Sequence, residues 1–202
     1  MVGLGQGEIS YLERGHGARS SIETWVAIGI ALSRPVAIGF ARDVVDPLQD
    51  ARHLGAQELV IRLGRSGGWR AAFEAAVDPR GTGLSTDLRL TRAGGPTVLV
   101  EIWNRLEDLG AAVRSSDRKV AAAAEPRRVD ERVALLWLLV DTAANRAIIR
   151  RYPAIFRSRF PGSSAAWIRA FVTRDSPPGE PGIAWVDVSA DRLRELRLAA
   201  ES

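Results

Sequence analysis

A cluster of arginine side chains surrounds Tyr152 and Pro153, and guanidinium groups arranged in this way could contact the phosphate groups of a nucleic acid. Its members are Arg146, Arg150, Arg151, Arg157 and Arg159. Such contacts would add salt-dependent affinity without any choice of base sequence. We take Arg146, Arg150 and Arg151 as the candidates for phosphate contact. The alternative is an ordinary solvated helix face.

Sulfur and imidazole chemistry is not indicated by the sequence. The chain has no cysteine, which excludes a thiolate metal site and fits a reducing compartment. His16 lies in a polar loop and His53 on a predicted helix, and neither has a partner at ligand spacing, so we assign them no chemistry. A net charge of +4 over 202 residues permits an anionic partner. Without a signal segment or a membrane span, we expect a cytoplasmic protein.

The elements that position these groups are predicted from hydrophobic periodicity and turn residues. Helices are predicted at residues 21–32, 36–45, 47–65, 106–124 and 143–152. Strands are predicted at residues 69–77, 86–92, 97–104, 132–140, 165–172 and, as an edge strand, 183–188. The first three strands should form an antiparallel meander, and 132–140 is apolar enough to be a central strand of a mixed sheet. We therefore expect an α+β protein, with a helical segment at 1–45 and an α/β domain at 46–202.

The run GLGQGEISYLERG at residues 3–15, followed by a capped apolar helix from Ser21, resembles part of a known DNA-binding domain. It is similar to the second half of the Cro/repressor-like (XRE-type) helix-turn-helix. In that family the short helix enters the major groove of DNA. The resemblance implies groove-facing positions at Gln6, Gly7, Glu8, Ser10 and Tyr11, with Arg14 near the DNA backbone. It also implies that Ile9 and Leu12 face a small core.

The helix-turn-helix family has two further helices before this point, so the resemblance implies an N-terminally truncated unit. The apolar stripe of the second helix, formed by Ile22, Trp25, Ile28 and Leu32, then needs another cover. Each fully buried side chain of this size contributes about 1.5–3 kcal/mol. The candidates are the rest of the chain, a second copy in a homodimer, or an upstream segment. We expect a homodimer on DNA, because one short helix offers few contacts.

The order of elements after residue 46 resembles the PD-(D/E)XK nuclease-like core, with a restriction-endonuclease-like topology written αβββαβαβ. The resemblance implies that Asp87 and Glu101, on the second and third strands, are the acidic pair of that family. Glu58, on the preceding helix, matches an acid often found there. Carboxylate oxygens on adjacent strands can hold Mg²⁺, which polarises a phosphate and activates water.

The lysine that normally follows the second acid by two residues is replaced by Trp103. Lys119, the one lysine of the chain, lies on the following predicted helix. At about 100° per residue, we place it away from the side formed by Leu109, Val113 and Val120 and expect it to face solvent. Asp117 and Arg114 lie nearer the buried face. They could reach the acidic pair or bond each other.

Three functional hypotheses follow. The first is a DNA-binding protein, such as a transcriptional regulator, whose nuclease-like domain is inactive and whose Asp87 and Glu101 are structural acids. The overall make-up of the chain also resembles helix-turn-helix proteins of actinobacteria. The second is a Mg²⁺-dependent nuclease in which Asp87 and Glu101 bind the metal, supported by Glu58 or Asp117. The third is a protein-interaction module, for instance one half of a toxin and antitoxin pair.

Overall fold

A computed structural model describes residues 6–16, 20–31, 47–77, 83–125 and 132–198. The chain divides into two compact units, Met1–Val44 and Val45–Ser202. The helix predicted at 36–45 lies outside the described residues. Within the ranges given above, no helix is both long and apolar enough to cross a membrane.

The first unit contains α1 (Gln6–Glu13) and α2 (Ile22–Ala31) in its described part. Helix α1 ends at Glu13 and is followed by Gly15, whose backbone is left-handed with φ 85°. The amides of Gly15 and His16 return to the carbonyls of Leu12 and Tyr11 at 2.9 and 3.3 Å. This pair of bonds satisfies the last carbonyls of the helix and favours glycine at that position. The glycine of the LERG run therefore has a defined role in ending the helix.

The predicted apolar core of the first unit is only partly formed. Leu12 is buried, but Ile9 is 43% exposed. On α2, Ile22 is 59% exposed and Trp25 is 37% exposed, so within a single chain these two members of the predicted stripe are not covered. Two helices this short offer too little surface to cover an apolar stripe on each other. Leu32, the last member of the predicted stripe, lies outside the described residues.

The second unit contains a six-stranded mixed sheet with helices packed against it. Its elements in chain order are α3 (Pro47–Ser66), β1 (Arg70–Ala76), β2 (Ser85–Thr91), β3 (Thr97–Trp103), α4 (Leu109–Ala124), β4 (Val133–Val140), α5 (Ala143–Arg151), α6 (Pro153–Arg159), α7 (Ser164–Val172), β5 (Gly182–Val186) and β6 (Leu193–Glu195). The strand order is β1-β2-β3-β4-β5-β6. Neighbours β1, β2 and β3 are antiparallel, β3, β4 and β5 are parallel, and β6 is antiparallel to β5. The predicted meander and mixed sheet are both present.

The sheet has an apolar core on each face, and β4 contributes to both. Every residue of β4 except Val133 is buried, as its uninterrupted apolar sequence predicts. Helices α3 and α7 cover one face and supply Leu59 and Phe171 to its core. Helices α4, α5 and α6 cover the other face, with Ala112 and Phe156 among their buried residues. Since side chains alternate along a strand, β3 faces both cores in turn.

Residues 165–172 form helix α7, so the prediction of a strand there is wrong. The Ser163 hydroxyl caps the helix by accepting a first-turn amide at 3.3 Å. Its buried residues, Trp167, Ala170 and Phe171, recur at helical spacing. A short apolar run fits both periodicities, and here the cap and the helical spacing decide. The strand beside β4 is instead β5. It was predicted as an edge strand but lies between β4 and β6.

Candidate active site

Asp87 on β2 and Glu101 on β3 lie opposite each other where the ladder between these strands ends. The last backbone pair of the ladder is Leu88 with Val100. Beyond it, the Asp87 carboxylate accepts the Ile102 amide through Oδ2 at 2.6 Å. A side chain therefore takes the place that a backbone carbonyl would otherwise fill. This bond fixes the orientation of the carboxylate next to Glu101.

Lys119 reaches Glu101, so the expectation that it faces solvent is wrong. Its Nζ lies 2.6 Å from Oε2 of Glu101, and the two side chains are 15% and 5% exposed. The buried face of α4 is formed by its small residues, Ala112, Ser116 and Ala123. Lys119 lies one turn from both Ser116 and Ala123, on that same face. Its long methylene chain then carries the ammonium group to the strand.

Two groups that the sequence analysis did not select lie beside Asp87. Nε2 of His53, on α3, is 3.8 Å from Oδ1 of Asp87. One ligand atom from each of His53, Glu74 and Asp87 lies within 4.8 Å of the others. The signal that could have identified His53 is its position on the helix before the meander, where we expected the acid Glu58. We call His53, Glu74, Asp87, Glu101 and Lys119 the carboxylate cluster.

The two supporting acids predicted from the sequence are not in the carboxylate cluster. Glu58 is exposed on α3, between buried Gln57 and Leu59. Asp117 is half exposed on α4 and forms an ion pair with Arg159 of α6. His53 takes the helical position expected of Glu58, and Asp117 connects two helices instead.

Burial raises the pKa of both central carboxyl groups. For Asp87 the main cause is desolvation, opposed by the Ile102 amide and by the positive charges of His53 and Lys119. Desolvation is also the main cause of the raised pKa of Glu101, opposed by the hydrogen bond and charge of Lys119. A bound cation would offset this desolvation by stabilising the charged forms. Perturbed carboxyl groups of this kind are typical of functional sites.

Among the described residues, two buried oxygen atoms near Asp87 and Lys119 have no hydrogen-bond partner at normal geometry. They are Oε1 of Glu101 and Oε1 of Gln57. The Gln57 side chain is held next to Asp87, because its Nε2 donates to the Asp87 carbonyl at 3.3 Å. A buried oxygen without a partner is costly, and a ligand would satisfy it. Carboxylate oxygens with an imidazole nitrogen fit a divalent cation, and the imidazole favours Mn²⁺ or a similar ion over Mg²⁺.

The arginines predicted to contact phosphate differ in their surroundings. Arg146 forms an ion pair with the buried Asp141 at the end of β4, with Nη2 2.7 Å from Oδ2, and Arg194 contacts the same carboxylate. Arg150 and Arg151 are exposed at the end of α5. Thus Arg146 is committed to an internal pair, while the other two lie on the surface.

The groove-facing edge predicted on α1 is exposed in the first unit. Its exposed members are Gln6, Gly7, Tyr11 and Arg14. Ser10 is half-buried, and the side chain of Glu8 lies outside the described residues. The Tyr11 ring stacks on His16 with ring centres 4.8 Å apart. This contact orients the tyrosine.

We expect Asp87→Asn to raise the free energy of unfolding at pH 7. The pKa of Asp87 in the folded protein lies above its ordinary value of 3.8. Between these two pKa values, the folded state therefore binds more protons than the unfolded state. The stability associated with this group is therefore present below pH 3.8 and lost as pH rises through the folded pKa. The amide oxygen of asparagine can still accept the Ile102 amide. Urea unfolding at pH 7 and near pH 3.5 measures the difference.

Asp175→Asn is the matched control, because Asp175 lies exposed in the segment after α7. We expect that variant to equal the parent at both pH values. An Asp87→Asn variant that is less stable than the parent at pH 7 would contradict the destabilising burial of the Asp87 charge.

No family model matches this chain, and no curated protein or solved structure matches it. The basis for assigning a function is therefore the chemistry of the carboxylate cluster and of the surfaces around it.

Proposed function

We propose that the second unit is a metal-dependent nuclease, which hydrolyses phosphodiester bonds with a divalent cation held by the carboxylate cluster. The observation that carries this proposal is the 2.6 Å contact between Lys119 Nζ and Glu101 Oε2. It supports the resemblance to the PD-(D/E)XK nucleases, in which two acids and a lysine act together. Here the lysine comes from α4 and not from β3.

Trp103, at the position where that family has its lysine, belongs to the core of the α4 side. Its ring centre lies 5.2 Å from that of Trp137. The tryptophan therefore stabilises the packing under α4, while Lys119 supplies the ammonium group from above the strand. For this reason we favour the catalytic hypothesis over an inactive domain.

Asp87, His53 and Glu74 would hold the cation, since one ligand atom from each lies within 4.8 Å of the others, with Glu101 as a further ligand. When bound, a divalent cation polarises a phosphate and lowers the pKa of a water molecule. The Ile102 amide fixes one oxygen of Asp87 and leaves Oδ1 on the side of His53. Glu101 offers its unpartnered Oε1. The protein thus presents these atoms before the cation arrives, which lowers the cost of binding it.

Lys119 would stabilise negative charge that develops on the phosphate. An ammonium group has three donors, and the bond to Glu101 uses one of them. The remaining donors can reach a phosphate oxygen or the attacking water. Because the group is largely buried, its interaction with a developing charge is stronger than it would be in bulk water.

We expect Lys119→Met and Glu101→Gln to lower cleavage of plasmid or oligonucleotide DNA by at least about 100-fold, since each removes a charge that acts on the reacting phosphate. Initial cleavage rates with Mg²⁺ or Mn²⁺ measure the effect. Glu58→Gln and Asp117→Asn are the controls, and both should cleave at close to the parental rate.

Lys119→Arg separates catalysis from stability, because a guanidinium group can keep the ion pair with Glu101 but differs in shape and donor geometry. We expect it to unfold at close to the parental urea concentration while cleavage still falls. Parental rates in Lys119→Met, or no cleavage by the parent with either cation, would overturn the proposed nuclease.

We expect His53→Ala to weaken Mn²⁺ binding by about tenfold or more, because it removes the nitrogen ligand. Isothermal titration calorimetry of the full chain measures this without relying on activity. His16→Ala removes the other histidine, which stacks on Tyr11 in the first unit, and should leave the affinity unchanged. Equal Mn²⁺ affinity in the parent and His53→Ala would exclude His53 as a ligand.

Sequence-specific DNA binding by a homodimer through α1 is a second candidate function. The observation that favours it is the exposure of Gln6, Tyr11 and Arg14 along one short helix. Side chains at the start of such a helix can meet base edges, while an arginine at its end can meet phosphate.

For α1, we expect selection from a random duplex library to enrich a two-fold symmetric sequence. Gln6→Ala should change the preferred base at one position of each half-site. Arg14→Ala should weaken binding to all duplexes alike and lower the slope of log affinity against log salt concentration by about 1. Glu23→Gln, at an exposed position of α2, serves as the control. If the parent protein enriches no sequence from the library, sequence-specific DNA binding by α1 is ruled out.

A further inference from the structure

A cavity of about 690 Å³ opens between the end of α3, the turn from β2 to β3, and the segment after α7. Of the ten residues that line it, three are arginines and four are glycines, and none is acidic. Arg70 begins β1, whereas Glu74 of the carboxylate cluster lies near the end of that strand. The cavity and the cluster are therefore at opposite ends of the hairpin formed by β1 and β2.

Arg92 forms a fixed wall of this cavity. Its guanidinium group donates to the carbonyls of Gly67, Thr173 and Asp175 at 3.1, 3.3 and 2.8 Å. It also lies 4.4 Å from the ring centre of Trp69. These carbonyls lie at the ends of α3 and α7, so the arginine caps both helices. All three acceptors are uncharged, and the bonds leave the positive charge of Arg92 uncompensated by a carboxylate.

Arg70 and Arg174 add two further positive charges to the cavity. Both residues are exposed, and neither side chain has a hydrogen-bond or ion-pair partner in the described parts of the chain. By contrast, Arg146, Arg159 and Arg194 of the same unit are paired with aspartates. No acid among the described residues pairs with these arginines, so the cavity concentrates positive charge, which attracts an anion.

The turn from β2 to β3 leaves main chain open on another wall. Gly94 has a left-handed backbone with φ 70°, and no atom lies within 4 Å of the point where its Cβ would be. Without a side chain at this turn, a ligand can approach the backbone closely. The cavity therefore offers both guanidinium groups and accessible main chain to one ligand.

We propose that this cavity binds phosphate groups of a nucleic acid strand. Guanidinium groups match phosphate in charge and in donor geometry. The proposal deepens the proposed nuclease function, on which it rests for the choice of substrate, by naming where the strand is held. Arg70 and Glu74 are four residue steps apart along β1, or about 13 Å. Each strand of a DNA duplex advances about 3.4 Å per nucleotide along the helix axis, so this distance corresponds to about four nucleotides of a duplex and to fewer of an extended single strand.

The test measures binding of a fluorescent single strand of about 12 nucleotides to the full chain, by anisotropy, in EDTA and at several salt concentrations. A fluorescent mononucleotide forms the second arm. We expect the double variant Arg70→Ala/Arg174→Ala to weaken strand binding by about tenfold and to lower the salt slope by about 1.4, or about 0.7 for each lost phosphate contact. Arg192→Ala/Arg197→Ala removes the same net charge beside β6, at the opposite edge of the sheet from β1, and should change the affinity by less than about twofold.

Each outcome separates this site from the proposed nuclease activity. If no cleavage is found but Arg70→Ala/Arg174→Ala still loses strand affinity, the nuclease is wrong and the phosphate site stands. If Arg70→Ala/Arg174→Ala binds the strand as the parent does, or if Arg192→Ala/Arg197→Ala loses as much affinity, the site is overturned even where cleavage occurs. Equal binding of strand and mononucleotide, with the same loss in the variant, supports the phosphate chemistry and identifies free nucleotides as its source.

Discussion

Glu101 lies on a buried strand, and its charge is balanced by the ammonium group of Lys119 at 2.6 Å. Each group alone would be desolvated without compensation, and removing one partner of such a pair costs about 3–5 kcal/mol. Helix α4 must therefore dock with Lys119 directly over β3. The small residues Ala112, Ser116 and Ala123 let the helix approach closely enough for this contact. The same constraint places a positive charge beside two carboxylates, which is the arrangement that our functional proposal uses.

Elements whose pattern fits one periodicity were predictable from the sequence. The three strands of the meander alternate in burial or are bounded by turn residues, and β4 is apolar throughout, so their positions and the central place of β4 were predicted. Residues 165–172 are different, because their apolar run fits a strand as well as a helix. The cap at Ser163 and the spacing of Trp167 and Phe171 decide the outcome, and only the folded chain shows which of these local signals prevails.

Part of the candidate site was predictable for a similar reason. Asp87 and Glu101 are brought together by strand pairing, which the meander already implies. His53, Glu74 and Lys119 reach the same place from α3, β1 and α4, and no spacing along the chain connects them. Lys119 was placed on the wrong face because large apolar residues were assumed to mark the contact with the sheet. On α4 that contact is made by the smallest side chains, so the long side chain of Lys119 has room to extend over them.

The backbone of Glu74 is left-handed, with φ 44°. For a residue with a Cβ, this conformation costs about 1–3 kcal/mol and persists only where the surrounding strands enforce it. Glycine would relieve the strain but would abolish the carboxylate. Selection for thermal robustness alone would thus drive this position toward glycine, and selection for ligand capture would drive it toward glutamate. A thermostabilised descendant of this protein that carried glycine at position 74 would have gained stability by surrendering part of its chemistry.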